Sequence, residues 1–357
     1  MKFSSWAAAA ALALLHELGI GAPAAASDII AVDPVSGNFV DTLGRTRFFR
    51  GVNAVSKLPP FHPTLSGFDP VHSLSRIDAE ALRSWGFNIV RLGVLWQGVM
   101  PEPGVVNASY LDAIDAVVST LADSGIYTIL DAHQDCLGRR FCGEGLPDWV
   151  ILKTLRIAGV NTSDPKEAFP KPFPWDLGGD HDGFPDLAKC QSHNFVDYYN
   201  TKVSLASWRA LYSTRELWDD FAQHWQAVAN RFAGQSSVLG YELLNECARF
   251  SCAHSFAANI FRPRLFRHHV MPWYVRLHVL VLHRPWGSGS DEHDLLPLYR
   301  RLHESIRRVD SRKIIMFEPH VIRGQLGIAT DLPKVRSRMH LSALANHLHQ
   351  RDERYSL

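Results

Sequence analysis

From Phe48 onward, short apolar runs alternate with stretches whose apolar positions recur at helical spacing. Phe48–Asn53, Asn88–Leu92, Tyr127–Asp131, Val238–Leu244 and Lys313–Phe317 are predicted strands. Between them Ile77–Trp85, Tyr110–Asp123, Leu217–Phe232 and Leu295–Val309 are predicted helices. The second of these puts Leu111, Ile114, Val117, Val118 and Leu121 on one face. Gly86 and Ser124-Gly125 supply the stops. Near-continuous apolar strands separated by helices argue for a parallel sheet with helical crossovers. The stretch from Leu137 to Asp197, rich in Gly, Pro and Asp, reads as an elaborate loop.

Polar residues fall in telling places on this frame. Asn53, Arg91, His133 with Asp135, Asn245 with Glu246, and Glu318 each sit at or just past a predicted strand's C-terminal end. In a parallel (β/α)8 barrel those ends converge on the face that holds the active site. A doubly wound open sheet would also gather ligands there, but the Gly-rich phosphate turn it uses after the first strand has no counterpart. The expected fold class is therefore α/β, a TIM-type (β/α)8 barrel. Five strands are legible where eight are required.

Composition narrows the function. The chain has 357 residues, and 37 Lys+Arg against 36 Asp+Glu leave a net charge of +1. That balance gives no electrostatic case for binding nucleic acid. A charged start at Lys2, an apolar run from Trp6 to Leu15 and the small-residue stretch Ala22–Ala26 read as a secretory signal spanning residues 1–26. The run is too short to cross a bilayer. Secretion, or delivery to an endomembrane lumen, follows. It would make Asn107-Ala-Ser109 and Asn161-Thr-Ser163 glycan acceptors and permit disulfides. Cys142 has Cys190 or Cys136 as candidate partners, and spacing does not choose between them.

The sharpest chemical signal is Tyr241-Glu-Leu-Leu-Asn245-Glu246, a hydrophobic strand that ends in an amide beside a carboxyl. Glycoside hydrolysis needs one carboxyl protonated enough to serve the leaving oxygen, and an amide suits a sugar 2-hydroxyl. Other stretches join it: Gly51-Val-Asn-Ala-Val-Ser-Lys57-Leu-Pro-Pro60, Leu130-Asp-Ala-His133-Gln-Asp135, Phe141-Cys-Gly-Glu-Gly-Leu-Pro-Asp-Trp149, Pro285-Trp286 and Ile315-Met-Phe-Glu-Pro319. In this order they resemble glycoside hydrolase family 5, in particular its endoglycoceramidase-like branch. The resemblance implies Glu246 as acid/base, Asn245 as its partner on the sugar, and Arg91 beneath the nucleophile, holding that carboxylate ionised. It assigns Lys57, His133 and Asp135 to the sugar hydroxyls. No metal and no organic cofactor is implied. His133-x-Asp135 alone is at most half a metal site.

Two departures stand out. In the family Asn-Glu runs directly into Pro-Trp, whereas here Cys247–Arg284 intervenes, with six Arg and five His but no Asp, Glu, Lys or Gly. We read this block as translated non-coding sequence, which continuous coding transcripts would refute. The rival is a genuine insertion whose apolar part, Met271–Leu282, touches a membrane surface transiently. The family's nucleophile also lies in a Glu-Phe-Gly-like motif well beyond Phe-Glu-Pro. The stretch 320–357 is a basic, divergent tail with no such motif and no apolar strand of useful length. Three more strand–helix units would need on the order of ninety residues. Glu318 matches a different strand from the one that bears the nucleophile.

The expected domain is thus a partial barrel over residues 27–319, interrupted at 247–284. The resemblance implies a retaining hydrolase that cuts glycosphingolipids by double displacement, with the chain inactive for want of the nucleophile. Its partner would be a glycolipid or oligosaccharide substrate, and the protein a monomer. A glucosylceramide or steryl glucosidase and a β-glucanase are alternatives within the family. A glycolipid-binding relic without catalysis is the alternative outside it.

Overall fold

The computed structural model describes residues 30–160, 176–199, 201–247, 291–319 and 339–341. It opens with a hairpin, β1 (Ala31–Val32) and β2 (Phe39–Val40), which begins before the first strand read from sequence. Six parallel strands follow: β3 (Gly51–Ala54), β4 (Ile89–Gly93), β5 (Tyr127–Asp131), β6 (Val238–Glu242), β7 (Ile314–Phe317) and β8 (Met339–Leu341). They lie side by side in chain order, as the wall of a barrel is wound. Among the described residues β8 does not return to β3, so the sheet is open.

The helices between them are α1 (Arg76–Ser84), α2 (Trp96–Val99), α3 (Ala108–Asp123), α4 (Asp148–Ile157), α5 (Leu187–Gln191), α6 (Phe195–Tyr199), α7 (Lys202–Ser213), α8 (Arg215–Phe232) and α9 (Leu296–Arg307). Helix α3 starts where Asn107 accepts from the Tyr110 N–H at 3.2 Å, satisfying a first-turn donor. Trp96 stacks on Phe221 at 4.5 Å between centroids, joining α2 to α8 inside the helical layer.

Period-2 alternation sorts the strand residues between two faces. Val90, Leu92, Leu130, Tyr241, Ile315 and Phe317 pack outward on the helices. Ile89, Tyr127, Ile129, Leu239, Ile314 and Met316 form an inner apolar layer that the hairpin covers with Ile30, Val32 and Phe39. A register shift between β5 and β6 pairs Thr128 with Val238 but Ile129 with Gly240. The extra residue lets Leu239 and Glu242 both face inward while Tyr241 faces the helices.

All five strands expected from sequence are present, but three readings change. Strand β8 falls in the stretch read as a strandless tail; Met-His-Leu offers no apolar run to recognise. The segment Leu137–Asp197 is no plain loop, since it holds α4, α5 and a 3-10 turn at Arg139–Phe141. Helix α4 was hidden by its flanks, Pro147 and Gly159, although Val150, Ile151, Thr154 and Leu155 make a buried stripe. Cys247, counted in the foreign block, is buried in the core, with its Sγ 2.8 Å from the Tyr299 hydroxyl. The segment 1–26, Asn161, the remainder of the block at 248–284 and most of 320–357 lie outside the described residues.

Candidate active site

At the C-terminal end of the sheet the inner face turns from apolar to ionic within two residues. Above Ile89, Ile129, Leu239 and Met316 stand Arg91, Asp131, Glu242 and Glu318. The Arg91 guanidinium, 14% exposed, spreads over all of them. Its Nε donates to Glu242 Oε2 at 2.6 Å and its Nη2 to Asn245 Oδ1 at 2.8 Å. Its Nη1 lies 3.0 Å from Asp131 Oδ2, and Glu318 Oε1 stands 3.7 Å from Nη2. Burial disfavours the charge, yet the carboxylates of Asp131, Glu242 and Glu318 outweigh it and keep Arg91 protonated.

A second group sits on the loop after β5. Asp135 and Glu144 exchange both backbone hydrogen bonds, each 2.9 Å, so their side chains emerge together. The turn depends on Gly143, where a Cβ would fall 1.8 Å from the Asp135 carbonyl oxygen. Cys142, beside it, is bonded to Cys190 of α5. The Lys57 ammonium pairs with Asp135 and lies 2.9 Å from Glu144, and the Tyr199 hydroxyl donates to Asp135 at 3.2 Å. His133 links the two groups, with Nδ1 2.8 Å from Asp131 and Nε2 3.5 Å from Asp135.

Glu246 overlooks both groups. Asn245 and Glu246 come three and four residues after β6 ends, at a bend. Gln134 fixes that bend, donating to the Asn245 carbonyl at 2.9 Å while its own carbonyl accepts from Asn245 Nδ2 at 3.0 Å. Trp225 Nε1 donates to Leu243 O at 3.1 Å from the helical side. Glu246 itself has φ 42°, a left-handed conformation that side chains with a Cβ disfavour. Its N–H donates to Glu318 Oε2 at 2.8 Å. Burial and the nearby Asp135 charge raise its carboxyl above the ordinary range, against His133, Arg91 and Lys57.

The charges explain which carboxyls hold protons. Six of them (Asp131, Asp135, Glu144, Glu242, Glu246 and Glu318) meet three cations, Lys57, Arg91 and His133. Full ionisation would leave three uncompensated negative charges in a space mostly closed to water. Burial and Asp135 push Glu144 up to about 7, and burial and Glu242 push Glu318 well up. With Glu246 these are the three that relieve the excess. Asp135 also suffers from burial, but hydrogen bonds from His133, Glu144 and Lys57 hold it low. His133 is pulled down by burial and pushed up to about 9 by Asp131 and Asp135.

The structure brings Lys57, Arg91, His133, Asp135, Asn245 and Glu246 into one site. Asn53, level with Arg91 in register, is exposed at the sheet edge instead. Sequence reasoning missed Asp131, Glu242, Gln134, Glu144 and Tyr199. The inner-face alternation Tyr127–Ile129–Asp131 would have marked the first of these. His133, Asp135 and Glu144 do offer donor atoms within 4.8 Å of one another, a grouping that suits a metal. The Lys57 ammonium already stands on both carboxylates and supplies the positive charge that a metal would bring.

Consecutive parallel strands with an ionic cluster at their C-terminal ends define an α/β protein of the (β/α)8 barrel class. The chain belongs to glycosyl hydrolase family 5, the cellulase family, whose model matches residues 75–342. That match runs past Pro319 into β8. The chain is 36% identical over 299 residues to an endoglycoceramidase of Cyanea nozakii, covering 82% of this chain and 51% of that protein. A glucosylceramidase of Rhizopus delemar is 26% identical over 242 residues, 58% of this chain and 34% of the relative. Endo-glycoceramidase II from Rhodococcus sp., solved with a five-membered iminocyclitol, shares the fold. Its TM-score is 0.56 at 22% identity, covering 85% of this chain and 56% of that one. The chain spans about half the length of the curated relatives it matches.

Proposed function

We propose that this site binds the glycan of a glycolipid and protonates the glycosidic oxygen from Glu246, as an endoglycoceramidase-type hydrolase would. One observation carries the reading: Glu246 has a raised carboxyl at the mouth of the sheet, facing Lys57, His133 and Asp135. A general acid at neutral pH needs that environment. Asn245, oriented by Arg91 and Gln134, is the group for the sugar 2-hydroxyl. Lys57, Asp135 and His133 serve as donors and acceptors for the outer hydroxyls. In the full mechanism a second carboxylate attacks the anomeric carbon, and Glu246 then takes a proton from water.

Among the described residues no carboxylate is ready for that attack. Asp131 and Glu242 are bound by Arg91, Asp135 by Lys57 and His133, and Glu144 and Glu318 are raised. The expected result for the 357-residue chain is therefore glycan binding without release of ceramide. Titration calorimetry with lactose and a fluorescent lactosylceramide assay measure the two. Lys57→Met should weaken lactose binding about ten-fold or more. Absence of any glycan binding would end this reading. Steady ceramide release that Glu246→Gln abolishes would show instead that the chain carries its own nucleophile. Running glucosylceramide in parallel separates the glucosylceramidase alternative, which the Rhizopus delemar relative favours. The Cys142–Cys190 bond supports a secretory or lumenal location.

A further inference from the structure

We infer that Glu318 is a positioning residue that keeps its proton at neutral pH, shares it with Glu242, and holds the backbone from which Glu246 acts. Only the last part rests on the proposed function; the shared proton stands by itself.

Three observations carry it. First, Glu242 is almost wholly buried, and its two oxygens are treated unequally. Oε2 accepts from Arg91 at 2.6 Å, whereas Oε1 has no donor among the described residues. The Glu318 carboxyl is in hydrogen-bonding contact with the Glu242 carboxyl. Two ionised carboxylates there would repel and leave that buried acceptor unsatisfied. One proton on Glu318 removes the repulsion and gives the Glu242 carboxyl a donor besides Arg91.

Second, Glu318 is fixed from several sides. It continues the inner-face alternation of Ile314 and Met316, and the Tyr299 hydroxyl from α9 donates to its backbone carbonyl at 2.7 Å. Its Oε2 accepts from the Glu246 N–H at 2.8 Å, at the residue whose left-handed φ most needs support. Third, the local charges balance with one of these carboxyls neutral, and burial beside Glu242 makes Glu318 that one. Arg91 and protonated His133 then offset Asp131 and Glu242. The groups facing Glu318 are Arg91 from β4, Glu242 from β6, Glu246 from the bend and Tyr299 from α9, with Asp131 of β5 acting across Arg91. Arg91 and the Glu246 amide favour ionisation, but burial and Glu242 prevail.

A neutral carboxyl cannot attack a sugar carbon, so Glu318 does not act as the nucleophile. A glutamine can mimic the protonated acid, with its amide donating to Glu242 and its carbonyl accepting from Glu246. The test is infrared spectroscopy of the whole chain at neutral pH, beside melting curves across pH. Wild type should show the carbonyl stretch of a protonated carboxylic acid that Glu318→Gln removes. Because ionisation is disfavoured in the fold, wild type should lose stability relative to Glu318→Gln as pH rises above 4.5, the ordinary glutamate value. The glutamine variant should thus melt higher at pH 7 and level with wild type at acid pH.

Carbon-13 titration of the Glu246 carboxyl supplies the positioning readout. It should stay in place in Glu318→Gln and shift in Glu318→Leu. A missing acid band, or a glutamine variant that melts lower at pH 7 as for a lost Arg91 ion pair, would overturn the shared proton. A Glu246 titration unmoved in both variants would overturn the positioning role. Neither the spectra nor the melts need a substrate, so their failure is distinct from failure of the proposed function.

Discussion

Arg91→Met will cost the folded chain about 3–5 kcal/mol, the range for removing one partner of a buried ion pair. The substitution takes the cation from Asp131 and Glu242 together, side chains that are 0% and 2% exposed, and strips a donor from Asn245. Methionine fills the volume but satisfies none of these acceptors. Arg91→Lys will recover only part of the loss, because a single ammonium cannot reproduce a planar fork with three directed contacts. Urea unfolding checks the result, as a lower midpoint at an unchanged slope. The deficit should shrink at acid pH, where the abandoned carboxylates take up protons. With native domains stable by about 5–15 kcal/mol, that loss is a large fraction of the whole.

The second large effect is a pH dependence centred on His133. Its ring lies between Asp131 and Asp135 and is raised to about 9 from 6.5, despite burial and the repulsion of Arg91. A histidine raised on folding contributes stability that is fully present below its unfolded value. That contribution fades as pH rises from about 6.5 through about 9. The linkage amounts to about 3 kcal/mol across that window. Wild type should therefore lose melting temperature steadily over this range, and His133→Asn should be less stable at pH 6 but much flatter. Parallel curves for the two proteins would show that His133 is not charged in the fold.

Much of this was readable from the chain, and the residues show why. Helix α3 and the five longer strands announce themselves because burial on one or both faces writes a regular apolar period. Arg91, His133, Asp135, Asn245 and Glu246 stood out because polar groups end those runs. Asp131 and Glu242 did not, since each belongs to its strand and is masked by the apolar residues around it. The parity of Glu242 depends on the register shift at Gly240, which no alternation rule anticipates. Glu144 meets Asp135 only through a hairpin closed by Gly143, a contact made by turn geometry rather than periodicity. Glu318 was visible, but its carboxyl is raised by burial and by Glu242, a neighbour 76 positions away in sequence.

The bond between Cys142 and Cys190 ties the turn that carries Glu144 to a helix 48 residues further along. Material produced in a bacterial cytosol would leave the two thiols reduced and that turn anchored by its short backbone ladder alone. Sugar affinities measured on such a preparation would then describe a loosened lysine–carboxylate triad. Expression through a periplasm or a secretory host is the preparation that keeps this part of the binding face assembled.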